Sequence, residues 1–115
     1  MAVLDAEVRR RALAAARALA REGVVRAAYV FGSHVEGRAD RWSDIDVAAF
    51  MEGVESWDLW QRARVIVDVQ KEVGFDVEPH FFAASCLRHA EPGSFAADVL
   101  RHGVRILPSE EEVSE

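Results

Sequence analysis

Between Tyr29 and Phe50 the chain reads YVFGSHVEGRADRWSDIDVAAF, and this stretch constrains the fold more than any other part of the sequence. Two apolar runs, Tyr29-Val30-Phe31 and Val47 to Phe50, read as strands joined by a polar, turn-rich connection. Gly32-Ser33 closes the first run, and ten residues later Asp44-Ile45-Asp46 leads into the second. Side chains of an extended chain alternate faces, so the two aspartates point the same way. Their repulsion is costly unless a cation lies between them. A Gly-Ser turn at the end of a neighbouring strand offers backbone N–H groups and a hydroxyl to an anion. A cation site beside an anion site is what metal-assisted chemistry on a nucleoside triphosphate requires.

The elements around this stretch follow from periodicity. Asp5 to Glu22 is rich in Ala, Leu and Arg, with Val8, Ala12, Ala15, Ala16 and Leu19 at helical spacing, Asp5 placed to cap the start and Gly23 to end it. Strands are expected over 24–31 and 45–50. A second amphipathic helix is expected over 56–73, with Leu59, Ala63, Ile66 and Trp60 facing inward and Gly74 as its stop. Residues 75–82 read as a third strand, which Pro79 assigns to an edge or an irregularity. A short helix over 94–102, stopped by Gly103, and a last strand over 104–107 complete the order. The expected fold class is α+β (α/β-like), a small mixed sheet with helices packed on one face.

Composition narrows the partners. The 115 residues suit a single domain, with its core at about 24–107 and an acidic tail at 108–115 in which Glu110, Glu111, Glu112 and Glu115 follow Pro108. A net charge of −6 argues against direct nucleic-acid binding, which normally uses a basic face. No membrane span or secretory signal is visible, so a cytoplasmic location is expected. The single cysteine, Cys86, lacks metal-ligand spacing around it and reads as a small buried hydrophobe.

Gly32-Ser33, ten residues, then Asp44-x-Asp46 between apolar strands resembles the signature of the DNA polymerase β nucleotidyltransferase superfamily, with Gly37 and Ser43 also where that pattern often has them. The short chain is similar to the minimal (MNT-type) branch, MntA-like antitoxins paired with a HEPN-domain toxin. The resemblance implies a polymerase β-type fold in which Gly32 and Ser33 hold a triphosphate. Arg38 and Ser43 are further candidates on the nucleotide side, Arg38 as a loop guanidinium that meets phosphate or lies at the surface, and Ser43 chiefly as the residue that orders the turn before the aspartates. The resemblance implies Asp44 and Asp46 as ligands of divalent metal, two Mg²⁺ ions, with ATP as substrate. It also implies a third carboxylate on an adjacent strand, helping to activate the attacking hydroxyl. Asp76 and Glu78 are the candidates, both in the third strand and on one face by alternation. Asp76 is slightly preferred because Pro79 interrupts the strand beside Glu78.

Larger superfamily members carry a helical domain that grips the acceptor, and 115 residues leave no room for one. The acceptor is therefore expected on a partner, in a homo- or hetero-oligomer. The resemblance implies a HEPN-domain protein encoded nearby, silenced by transfer of AMP to a tyrosine. The alternative is a non-catalytic module that neutralises its partner by complex formation. A DxD-type glycosyltransferase needs a far larger fold, and aminoglycoside modification needs the missing domain. Among the remaining residues, Arg41 and His34 could meet phosphate or lie at the surface. Trp42 reads as a loop anchor or a base-stacking ring, and His80 as a packed histidine or a neighbour of the site. Trp57 and Trp60 read as core or interface residues.

Overall fold

The computed structural model describes residues 4–40 and 42–108. Arg41 and the glutamates of the acidic tail lie outside them. Helix α1 (Ala6–Leu19) is capped by Asp5, whose carboxylate accepts from the Glu7 and Val8 N–H groups at 3.0 and 3.1 Å. Strand β1 (Val25–Phe31), the one-turn helix α2 (Ser33–Glu36) and strand β2 (Ile45–Met51) follow. A 3₁₀ turn (Val54–Ser56) leads into α3 (Leu59–Val73), capped by Asp58, and then β3 (Val77–Ala83). The short α4 (Cys86–His89), α5 (Phe95–His102) and β4 (Val104–Leu107) complete the described chain. The single-turn helices α2 and α4 are additions to the expected order. Each is too short to display a helical period in sequence.

The sheet runs β3-β2-β1-β4. Strands β1 and β2 pair antiparallel, as do β1 and β4, whereas β2 and β3 are parallel and are joined through α3. The sheet is therefore mixed, as expected. Pro79 lies on β3, an edge strand, where its missing N–H costs least. On β2, a central strand, every residue is buried except Asp46.

Two clusters of buried side chains lie on opposite faces of the sheet. On one, Val30, Val47, Met51 and Val77 meet α1 and α3 through Val8, Ala12, Ala15, Ala16, Leu19, Val65 and Val69. The α1 positions are those its spacing marks as inward, and its alanines are small enough to let the helix lie close to the strands. On the other face, Ala27, Ala48 and Phe50 meet Ala96 and Val99 of α5. The long helices thus share one face as expected, and the short C-terminal helix covers the opposite one.

The inward face of α3 departs from expectation. Leu59 and Trp60 are 81% and 85% exposed, Ala63 is exposed, and the buried positions are Val65 and Val69. Apolar residues take up more than half of this helix's circumference, so periodicity fixes its existence and polar side but leaves open which part of the apolar arc packs inward. The phase is set by the Val65-Val69 row. Arg62 assists by donating to the Val54 and Trp57 carbonyls at 2.8 and 3.1 Å. Trp57 does pack against the core, with its ring edge-on to Phe81.

Candidate active site

The site is built where β1 ends and β2 and β3 begin. Residue pairing across the sheet places Phe31 opposite Asp46, and Asp46 opposite Glu78. His80 pairs with Ala48 one step along, so Asp46, Glu78 and His80 share the face that carries α5. A central strand is a poor place for an acid. Neighbouring side chains such as Val47 and Phe50 each gain roughly 1.5–3 kcal/mol from burial. The Asp46 side chain, by contrast, is only 23% exposed and stands beside a second carboxylate. A strand position spent on a partly buried carboxylate marks Asp46 as a candidate functional residue.

His80 Nε2 lies 3.1 Å from Asp46 Oδ1 and 3.9 Å from Glu78 Oε1. One donor atom from each of the three residues falls within 4.8 Å of the others. Among the described residues this is the group of His, Cys, Asp and Glu side chains able to hold a metal ion. The Glu78 carboxyl is held above its ordinary value, first by its hydrogen bond with Asp46, then by burial and by the negative charges of Asp46 and Asp44, with His80 acting in the opposite sense. Asp44 is exposed, immediately ahead of β2. It stands outside the three-residue group, close enough for its charge to be felt by Glu78.

Gly32 forms the edge of the site. Its φ is +86°, a left-handed value that disfavours side chains, and a Cβ there would sit 2.7 Å from Asp46 Oδ2. The backbone therefore passes directly over the carboxylate because residue 32 has no side chain. Ser33 opens α2, where first-turn N–H groups lack intrahelical acceptors.

The other sequence candidates are placed as follows. Ser43 Oγ accepts from the Asp40 N–H at 3.0 Å and, with the Asp40 carboxylate, orders the turn ahead of Asp44. His34 Nε2 reaches the Ser43 carbonyl at 3.3 Å, tying α2 to that turn. Arg38 is exposed and pairs with Glu36. Trp42 is 78% exposed. Asp76 precedes β3 and is turned toward α1, where the Arg11 guanidinium holds it at 2.8 and 2.5 Å. That ion pair holds the Asp76 carboxyl below its ordinary value. Of the two candidates for a third carboxylate, Glu78 is the one beside Asp46.

His80 is the member of the group that sequence reading ranked lowest. Its signal was present: Glu78-x-His80 has the one-residue spacing of Asp44-x-Asp46, and on β3 strand alternation sets Glu78 and His80 on one face. Its ring is braced from behind by Phe31 and Phe95, at centroid distances of 5.0 and 6.0 Å.

The sequence profile of a family described as "Polymerase beta, Nucleotidyltransferase" matches residues 15–112. No curated protein sequence matches the chain significantly. Among solved structures, a candidate nucleotidyltransferase from Sulfolobus solfataricus superposes with a TM-score of 0.54 at 16% identity, over 86% of this chain and 82% of that one. A toxin–antitoxin structure with AMP-PNP superposes with a TM-score of 0.54 at 19% identity, over 90% of this chain and 76% of that one. At these identities the likeness is one of fold.

Proposed function

Because the chain belongs to the polymerase β nucleotidyltransferase family and has its fold, we propose that it transfers AMP from ATP to a hydroxyl group, in a reaction that depends on Mg²⁺ or another divalent ion. The observation that carries this reading is the paired acid at the sheet end, Asp46 against Glu78, with the side-chain-free Gly32 above it. The donor set fits a divalent cation: Asp46 and Glu78 on one face, with a third carboxylate at Asp44 nearby. Asp44, Asp46 and Glu78 are the residues that would hold metal, which supplies charge neutralisation on the phosphates when bound.

The Gly32-Ser33 turn holds the triphosphate through backbone N–H groups and the Ser33 hydroxyl. The acceptor oxygen forms a bond to the α-phosphorus, the bond from that phosphorus to the α,β-bridging oxygen breaks, and pyrophosphate departs. Glu78, the carboxylate opposite Asp46 on the neighbouring strand, is the group placed to take the hydroxyl proton. In this reading Asp76 has a structural part through Arg11. Ser43 and His34 shape the turn that delivers Asp44.

The acceptor is proposed to be a tyrosine of a HEPN-type toxin, with this chain as the antitoxin. Support comes from the shared fold with a toxin–antitoxin structure holding an ATP analogue, and from the exposed Leu59 and Trp60, which suit a protein interface. The same two side chains favour a second reading, neutralisation by binding alone. One experiment separates them. The chain is incubated with α-labelled ATP, divalent metal and the protein encoded beside it. Label on a partner tyrosine, lost in Asp46→Asn, is the expected outcome. An unlabelled partner that the Asp46→Asn protein still inhibits establishes the binding-only reading.

A further inference from the structure

The family reading calls for carboxylates around metal, yet the third donor in this site is an imidazole. We propose that His80 ligates the metal through Nε2 and thereby makes the position held by Asp46 and Glu78 selective for a first-row transition ion over Mg²⁺. This rests on the reading that Asp46 is a metal ligand.

Four observations carry it. The ring presents to the carboxylates the nitrogen that would bind: Nε2 is the atom at 3.1 Å from Asp46 Oδ1 and 3.9 Å from Glu78 Oε1. Two donors that share an ion at roughly 2.1 Å with a right angle between them are about 3.0 Å apart. The first distance already has that value, and the second requires a closure of less than about 1 Å, within reach of the half-exposed Glu78 side chain. Parallel pairing of β2 and β3 sets all three residues on one face, and the small Ala48 opposite His80 leaves the ring room to lean toward Asp46. Finally, edge contacts with Phe31 and Phe95 hold the imidazole from the apolar side, so the site is shaped before metal arrives.

Chemistry then decides the ion. Mg²⁺ demands oxygen donors and gives up water reluctantly, so an imidazole contributes little to its binding. Imidazole suits the later first-row ions such as Zn²⁺ best, and affinity at a mixed nitrogen–oxygen site rises from Mn²⁺ through Co²⁺ to Zn²⁺. Mn²⁺ therefore serves as the paramagnetic probe at the weak end of that series. Any such site favours Mn²⁺ to some degree. The test is therefore the change in the Mn²⁺ to Mg²⁺ ratio when His80 is replaced.

Metal-free wild type, His80→Ala and Asp46→Asn proteins are titrated with Mn²⁺ and with Mg²⁺ by calorimetry, and Mn²⁺ binding is followed by electron paramagnetic resonance. Circular dichroism establishes that each variant is folded. The expected result is a loss of about tenfold or more in Mn²⁺ affinity for His80→Ala with Mg²⁺ affinity little changed, and loss of both ions in Asp46→Asn. Zn²⁺ added to ¹⁵N-labelled wild type should move the His80 Nε2 resonance selectively. Equal losses for Mn²⁺ and Mg²⁺ in His80→Ala would make the histidine a hydrogen-bond partner of Asp46 and overturn the proposal. So would an unmoved Nε2 resonance. Should Asp46→Asn bind both ions as wild type does, the underlying site reading fails with it.

Discussion

Gly32 is where backbone geometry and chemistry meet in a single residue. Its φ of +86° admits a side chain only with strain, and a Cβ would meet Asp46 Oδ2 at 2.7 Å. Gly32→Ala should therefore cost about 1–3 kcal/mol of stability and displace the carboxylate from the metal position. Thermal unfolding with and without Mn²⁺ reads both effects: a lower Tm for the apo protein, and a smaller upward shift on adding metal. Alanine at Gly37, also at positive φ but with nothing within 4 Å of its Cβ, is the control for strain alone. Glu78 gives the opposite result in the apo protein. Its folded-state pKa is raised, so its ionised form is disfavoured by folding, and that penalty is fully present above the raised value. Glu78→Gln should raise the Tm of the metal-free protein at neutral pH while abolishing transfer and weakening metal binding. An unchanged or lower apo Tm would contradict the charge crowding inferred here.

At the scale of elements, helix α3 shows what sequence does and does not determine. Its limits are written in Asp58, whose side chain accepts from the Gln61 N–H at 2.8 Å, and in Gly74, whose φ of +125° ends it. Its phase is not written locally. The apolar arc from Val65 and Val69 round through Ile66, Leu59 and Ala63 to Val67 and Trp60 is wider than one packed face, even though Gln61, Arg64, Asp68 and Lys71 form a polar side opposite it. Packing against α1 and the sheet selects Val65 and Val69 and leaves Leu59 and Trp60 in solvent. Helix α1 has one apolar stripe, and its expected inward positions Val8, Ala12, Ala15, Ala16 and Leu19 are all buried, with Ala18 a further buried position the spacing did not mark. The Gly-Ser turn and Asp46 could be read directly, whereas Asp44 lies ahead of β2, where strand alternation no longer sets it beside Asp46. The choice between Asp76 and Glu78 needed the start of β3. That strand begins at Val77, which puts Asp76 outside the ladder and Glu78 opposite Asp46. The phase of α3 has a direct test in chemical denaturation. Val65→Ala should cost about 2 kcal/mol through the cavity it leaves, whereas Trp60→Ser should change stability by no more than about 0.5 kcal/mol. If the exposed pair forms the partner surface, Trp60→Ser should nonetheless weaken partner binding by tenfold or more in a pull-down or calorimetric assay.

Across the whole molecule, the active end of the sheet and its structural tie are separate. The Arg11–Asp76 pair joins α1 to the approach to β3, and Arg11 also donates to the Val73 carbonyl at the end of α3 at 2.8 Å. One guanidinium thus holds together the three segments that frame β3 from the side of the long helices. Gly74 makes this possible, since a Cβ there would collide with the guanidinium. The pair lowers the folded-state pKa of Asp76. A depressed carboxyl contributes stability that is fully present above its unfolded value, about 3.9 for an aspartate, and is lost as pH falls through the folded value. Because Asp76 is 46% exposed, solvent screening limits the contribution to about 1 kcal/mol or less. Arg11→Met, which keeps most of the aliphatic length and removes the charge, should therefore lower stability at pH 7 by that amount. Its deficit relative to wild type should shrink as pH falls below the ordinary aspartate range and Asp76 takes up its proton. Metal affinity measured on the same variant should be unchanged, because the pair lies on the opposite side of β3 from Asp46 and His80. A matching loss of metal binding would mean that Arg11 fixes the register of β3 against β2, and with it the opposition of Glu78 to Asp46 on which the site depends.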